Sequence, residues 1–200
     1  MIRTFIAIDP PQEVIKDLEP AFQTWKALGK GVKWISPSRL HLTLKFLGDV
    51  PEDKLELIES AACAATKKSK KMTLSISGTG VFPNPGRPRI FWVGLKGDLE
   101  ALTALQEEME TALEEIGYEK ENRKFSPHIT VGRLRRVRKR PHYSKTGHTN
   151  SNIESILAGF LHYKLETRPF TISQVVIYKS DLKSQGPIYT TLATCPLKEG

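Results

Sequence analysis

Apolar residues in this chain fall into short β-rich runs separated by longer stretches of helical period, a pattern that predicts alternating strands and helices. Thr4 to Ile8 is a β-branched and aromatic run, read as a strand. Beyond Pro10 and Pro11, Val14, Leu18, Phe22 and Trp25 recur at helical spacing and predict a helix from Glu13 to Leu28. Leu40 to Leu47 reads as a strand that leads through Gly48 and Pro51 into a second helix, Glu52 to about Thr66. That helix carries Leu55, Ile58, Ala62 and Ala65 at intervals of three or four, and the lysine-rich segment from Lys67 to Lys71 ends it. Met72 to Val81 and Arg89 to Leu95 form a hairpin with a long proline- and glycine-containing connection. Asp98 is placed to cap a helix to about Ile116, with Leu99, Leu102, Leu105, Met109 and Leu113 on one face and Gly117 as its stop. Its glutamates, Glu107, Glu108, Glu110, Glu114 and Glu115, read as a solvated outer face.

The second half replays this plan. A strand near Ile129 is followed by a basic, polar stretch from Arg133 to Asn152, a helix from about Ile153 to His162, and strands at Phe170 to Tyr178 and Ile188 to Ala193. The loops after Phe82 and after Tyr178 occupy equivalent places, as an internal duplication requires. The expected fold class is therefore α+β, with two lobes related by a pseudo-twofold axis, each an antiparallel sheet with helices outside. No linker divides the halves, so residues 1–200 are expected to form a single domain of two lobes with interleaved strands.

The candidate chemistry is duplicated too. His41-Leu42-Thr43-Leu44 and His128-Ile129-Thr130-Val131 repeat the pattern His-x-Thr about half a chain apart, each after a Ser-Pro pair and each running into a glycine. In an extended strand, positions i and i+2 share a face, so each copy offers one imidazole beside one hydroxyl. Two such strands face to face would supply two proton-transfer groups and two hydroxyl donors, which suits an in-line displacement at phosphorus. Opening a cyclic phosphate needs a base for the attacking water, an acid for the departing oxygen and donors for the non-bridging oxygens. With an ordinary pKa of about 6.5, one imidazole can be neutral and the other protonated near neutral pH. Neither motif has a carboxylate or cysteine beside its histidine, so no metal is expected.

Composition adds limits. Two hundred residues suffice for a core that removes on the order of 70% of the unfolded surface from water. Cys63 and Cys195 are far apart with no companion at metal-ligand spacing, so neither a zinc site nor a disulfide framework is expected, and a reducing compartment is the simplest reading. The short apolar run of the opening, MIRTFIAIDPP, is broken by Asp9 and two prolines; it reads neither as a signal peptide nor as a membrane span, and a cytoplasmic location is expected. The net charge of +8 points towards a polyanionic partner.

With both motifs in view, the chain resembles the 2H phosphoesterase superfamily and, within it, the RNA 2′,3′-cyclic phosphodiesterases, also called 2′-5′ RNA ligases. The resemblance is carried by RTFIAID, HLTLKFLGDV, VFPNPGRPRIFWVGL, SPHITVGR and VVIYKSDLKSQGPIYTTL, which together span nearly the whole chain. It implies the bilobal 2H phosphoesterase fold with its active-site cleft between the lobes, and metal-independent hydrolysis of RNA 2′,3′-cyclic phosphate ends to 2′-phosphates without a cofactor. The reverse direction would be 2′-5′ ligation without ATP. His41 would be the general acid on the 3′-oxygen and His128 the general base on water, with Thr43 and Thr130 as hydroxyl donors. Arg133, five residues after His128, stands where the family carries an arginine near the phosphate; its other reading is the first residue of a solvated basic loop.

The run Arg133 to Arg140 could carry the RNA tail through backbone contacts, or could be an exposed basic loop. Phe5 and Phe125 are candidates for stacking on a terminal base, and Arg89 for a second phosphate contact. His142, His148 and His162 read as surface residues. Other functions remain open: a non-catalytic module that holds RNA ends, or a 2H phosphodiesterase acting on small cyclic nucleotides or 2′-5′ oligoadenylates. No pattern calls for an obligate partner, and a monomer is expected.

Overall fold

The computed structural model describes residues 1–135, 151–183 and 186–199. The strands are β1 (Ile2–Ile8), β2 (Val32–Trp34), β3 (Leu42–Val50), β4 (Met72–Phe82), β5 (Ile90–Gly97), β6 (Ile129–Leu134), β7 (Phe170–Ile172), β8 (Gln174–Lys183) and β9 (Gly186–Pro196). The helices are α1 (Gln12–Asp17), α2 (Glu19–Ala27), α3 (Leu55–Thr66), α4 (Leu99–Glu114) and α5 (Ser151–Leu161), with 3-10 turns at Pro37–Arg39 and Glu52–Lys54. The order of strands is β7-β4-β5-β6-β3-β1-β8-β9, and every named pair is antiparallel.

Two four-stranded halves are visible in that order, β3-β1-β8-β9 and β6-β5-β4-β7, and they are joined by one residue pair, Leu42 opposite Ile129. Counted outwards from this joint, the halves use their strands alike. The second position is taken by the opening strand of each repeat, β1 or β5, and the third by the strand after the repeat's second helical region, β4 or β8. The halves are interleaved: the first combines both ends of the chain, and the second is built from its middle. This is the α+β, two-lobed architecture expected from the sequence.

The joint is narrow because β2 displaces β3. Beyond Ile129 the free edge of β6 turns to β2, pairing Gly132 with Trp34, Arg133 with Lys33 and Leu134 with Val32. The Ile35 N–H donates to the Val131 carbonyl at 2.8 Å and extends that contact. Gly132 permits it, since a Cβ there would stand 2.7 Å from the Trp34 ring and 2.8 Å from Val32. Trp34 can then join the aromatic core of this half, stacked on Trp25 and set against Phe91 and Phe160. Sequence patterning offers no warning of β2, which is three residues long.

Several expectations change. The helix from Glu13 to Leu28 is two helices, because Pro20 has no N–H to return to the Lys16 carbonyl and its ring crowds that turn. Phe170 to Tyr178 divides at Ser173, since β7 pairs with β4 in one half while β8 pairs with β1 in the other. The Asp98 carboxylate accepts the Thr73 backbone N–H at 2.8 Å instead of capping α4. Glu110 is not solvated: it is buried, ion-paired with buried Lys45 of β3 and hydrogen-bonded by Gln106 at 2.8 Å. The Lys45 ammonium also donates to the Glu119 carbonyl, so α4 and the turn beyond it are fixed to the back of β3. Against the expectation of no disulfide framework, Cys63 and Cys195 form a disulfide, 132 residues apart in sequence. Packing of α3 against β9 brings them together, which no local spacing reveals, and the inference of a reducing compartment loses its basis.

Candidate active site

Each motif histidine is the last residue before its strand, His41 before β3 and His128 before β6. The Leu42–Ile129 pair sits between them and sets the register of the site. Antiparallel pairing puts His41 across from Thr130 and Thr43 across from His128, and residues opposite one another project to the same face. All four functional side chains thus line one cavity, of about 600 Å³, while Leu42, Leu44, Ile129 and Val131 are buried behind them. The cavity lies between the halves.

Both imidazoles are held by the same device. The His41 ring Nδ1 lies 2.9 Å from the Arg39 carbonyl, and the His128 Nδ1 lies 2.7 Å from the Ser126 carbonyl. A carbonyl can only accept, so Nδ1 carries the proton in each ring and Nε2 is left for chemistry. Their surroundings differ. His41 lies against Phe5 at 4.9 Å and edge-on to Tyr189 at 5.2 Å. Burial lowers its pKa below the usual histidine value, against the Arg39 carbonyl and the charge of Asp9, which favour the protonated ring. Asp9 accepts a hydrogen bond from Tyr178, and burial together with that bond pushes the phenol well above its ordinary pKa, so Tyr178 stays a donor. His128 meets Phe82 edge-on at 5.0 Å and Trp92 at 6.2 Å.

The position after each motif threonine carries a bulge. On β3, Ala7 pairs with Thr43 and Ile6 with Lys45, leaving Leu44 as an extra residue; on β6, Trp92 pairs with Thr130 and Phe91 with Gly132, leaving Val131 extra. In a regular strand Arg133 would lie on the face opposite His128 and Thr130. The bulge reverses the alternation and turns it into the cavity. The equivalent bulge on β3 brings in Phe46, five residues after His41 as Arg133 is five after His128.

Six of the eight residues singled out from the sequence therefore line the cavity: His41, Thr43, His128, Thr130, Arg133 and Phe5. Phe125 and Arg89 do not. Phe125 is half-buried against the core, and Arg89 is exposed, with its backbone N–H bonded to the Phe82 carbonyl and its carbonyl to Leu134. Phe5 lines the cavity but is only 3% exposed, wedged among His41, Phe46, Tyr178 and Tyr189, so it supports His41 and offers no free stacking face. Phe46, 57% exposed, is the free ring at this wall. Of the basic run, residues 136–140 lie outside the described residues, as do His142 and His148; Arg133 alone of its members lines the cavity among those described.

Sequence reading missed Arg3, Lys33, Arg39 and Tyr189, which also line the cavity. Lys33 comes in through the β2 pairing with Arg133. Burial raises the Tyr189 phenol pKa, while the charges of Arg39, Arg133 and Arg3, which line the same cavity, pull it down. No carboxylate is among the cavity's lining residues, and the arrangement can hold an anion of more than one charge beside two proton carriers. Among the described residues, no three His, Cys, Asp or Glu side chains converge as metal ligands.

The pattern of the LigT-like phosphoesterases matches residues 8–92 and again 93–189, one match for each repeat. The chain is 34% identical to the RNA 2′,3′-cyclic phosphodiesterase of Archaeoglobus fulgidus, with 96% of this chain and 98% of that protein covered. It is 31% identical to the protein of that name from Methanothermobacter thermautotrophicus, covering 96% of both. A crystal structure from Thermus thermophilus superimposes with a TM-score of 0.74 at 27% identity over 99% of each chain. Escherichia coli LigT, solved with 3′-AMP, shares the fold at a TM-score of 0.72 and 22% identity, covering 98% of each chain. A duplicated family pattern, relatives above 30% identity along nearly the full length and paired His-x-Thr strands at one joint together establish that this chain belongs to the LigT-like phosphoesterases of the 2H superfamily.

Proposed function

We propose that this protein hydrolyses RNA 2′,3′-cyclic phosphate ends to 2′-phosphates, with His41 as general acid and His128 as general base. His128 Nε2 takes a proton from water, the water oxygen bonds to phosphorus, the P–O3′ bond breaks, and His41 Nε2 gives its proton to O3′. Thr43, Thr130 and Arg133 hold the non-bridging oxygens, and Phe46 offers its exposed ring to the terminal base. The assignment of acid and base follows the family resemblance, and reversal of the same steps would join RNA ends through a 2′-5′ bond without ATP. The observation that carries the reading is the Leu42–Ile129 pair, which sets two anchored imidazoles and two hydroxyls around one cationic cavity. The relatives' names, RNA 2′,3′-cyclic phosphodiesterase, supply the substrate. Because each half contributes one histidine and one threonine, residues 1–200 act as one domain of two lobes, complete as a monomer. No helix among the described residues is long and apolar enough to cross a membrane. A cytoplasmic place of action belongs to this proposal through the RNA substrate, and the Cys63–Cys195 disulfide counts against it.

The test is a short RNA ending in a 2′,3′-cyclic phosphate, incubated in excess EDTA, with 2′- and 3′-phosphate products resolved. Conversion to the 2′-phosphate supports the reading. A 3′-phosphate product contradicts the assignment of the leaving oxygen, and loss of turnover in EDTA contradicts metal independence. RNA bound but unchanged would indicate an end-binding module, whereas neither binding nor conversion would direct attention to small cyclic nucleotides.

A further inference from the structure

A second groove leaves the cavity past Arg39, Pro187 and Tyr189, which line both spaces, and its other polar walls are Ser36, Ser38 and Lys183. We infer that this groove binds the phosphate on the 5′ side of the terminal nucleotide, and so takes the RNA chain as it leaves the cyclic end; this rests on the hydrolytic reading above. The two copies of the motif differ here. In the second, Ser126-Pro127 runs directly into His128, and the Ser126 carbonyl anchors the ring. In the first, a 3-10 turn, Pro37–Arg39, separates Ser36 from His41, and the Arg39 carbonyl does the anchoring. Holding the imidazole needs only that carbonyl. The added turn and the guanidinium have no counterpart in the other half.

The hairpin lies against that guanidinium. Gly186 has φ of +128°, a backbone conformation that favours glycine, and a Cβ there would stand 2.4 Å from Arg39 Nη1, a contact to which the flexible end of the arginine would have to yield. Arg39 Nη1 donates to the Pro187 carbonyl at 3.3 Å, and among the described residues no carboxylate pairs with Arg39 or Lys183. Asp181, the nearest acid along β8, is 3.4 Å from the Lys179 ammonium. The Ser36 and Ser38 hydroxyls lie 3.0 Å apart; one hydrogen joins them and the other is free to donate outwards. Two hydroxyls, a guanidinium fork and an ammonium, continuous with the cavity, suit a phosphate one nucleotide upstream of the reacting one.

The experiment compares kcat/KM for uridine 2′,3′-cyclic phosphate, the same nucleotide with a 5′-phosphate, and its 5′-methylphosphate ester. The wild type is expected to favour both 5′-phosphorylated substrates by about tenfold, as one charge-assisted contact allows, and Lys183→Ala and Ser36→Ala/Ser38→Ala to shrink that ratio at least about threefold. A wild-type ratio near one, or a ratio unmoved in both variants, overturns the inference. An advantage lost in the methyl ester overturns the passage of an RNA chain, because an internucleotide phosphate is a diester. If no cyclic phosphate is opened, the hydrolytic reading has failed. The groove is then judged by binding alone, as tighter binding of uridine 2′,5′-bisphosphate than uridine 2′-phosphate in wild type that is lost in the variants; equal binding overturns it.

Discussion

His41 and His128 are anchored alike and work in different surroundings, and the difference has a measurable consequence. A general acid must start protonated, yet burial lowers the His41 pKa below its usual 6.5 in the free protein. As pH rises through that lowered value His41 loses its proton, so the basic limb of kcat/KM should lie below about pH 6.5. A bound phosphate adds negative charge beside the ring and favours its protonation, so the basic limb of kcat should lie at higher pH; limbs that coincide would contradict this. Stability shifts the same way. A neutral His41 contributes fully above its unfolded pKa, and that contribution is lost as pH falls through the folded value. Thr43→Val and Thr130→Val should each lower kcat/KM by roughly tenfold to a hundredfold with little change in fold, read from steady-state kinetics beside thermal melting. The two histidines and two threonines were legible because a strand of period two keeps His and Thr on one face. Arg3, Lys33 and Tyr189 were not, because each reaches the cavity on a separate strand whose approach is fixed only by pairing, and Arg39, two residues before His41, is turned into the cavity by a 3-10 turn with no clear sequence signal. Phe5 lines the cavity, but its burial by Phe46, Tyr178 and Tyr189 has no local signature in the sequence.

At the scale of elements, the site depends on two bulges and one short strand. Leu44 and Val131 each interrupt an alternation that would otherwise turn Phe46 and Arg133 away, and β2 draws β6 away from β3 to open the space between them. None of this has a local signature. A bulge is defined by what the partner strand does, and three residues are too few to display a period. The longer elements α3, α4, β4 and β5 were legible because their burial is one-sided and sustained. The Glu110 error has the same origin as its neighbours' success: Glu110 stands at the edge of the acidic face of α4, beside buried Gln106, and only the position of Lys45 shows that it turns inwards. Breaking that buried pair leaves an uncompensated charge, so Glu110→Ala should lower unfolding stability by about 3–5 kcal/mol in urea titration. An unchanged midpoint would show that the pair does not hold α4 to β3.

For the whole molecule, the duplication made two lobes with interleaved strands legible, but not which strands cross over, since that rests on β7 and β8 parting at Ser173 and on the chain's ends sharing one half. The Cys63–Cys195 bridge ties α3 to the last strand of that half. Replacing both cysteines with alanine should lower unfolding stability by about 2–4 kcal/mol, as the open chain gains freedom, while the cavity in the joint keeps its residues. Equal unfolding midpoints, with and without reductant, would show that the bridge is not formed in solution. One histidine from each repeat forms a single acid–base pair in the proposed reaction, and kcat/KM on a 2′,3′-cyclic phosphate RNA for His41→Ala, His128→Ala and the double variant tests that pairing. Each single variant should lose about 10² to 10⁴-fold, with little further loss in the double, since groups acting as a unit do not add. Full turnover by either folded single variant, or losses that multiply in the double, would contradict it.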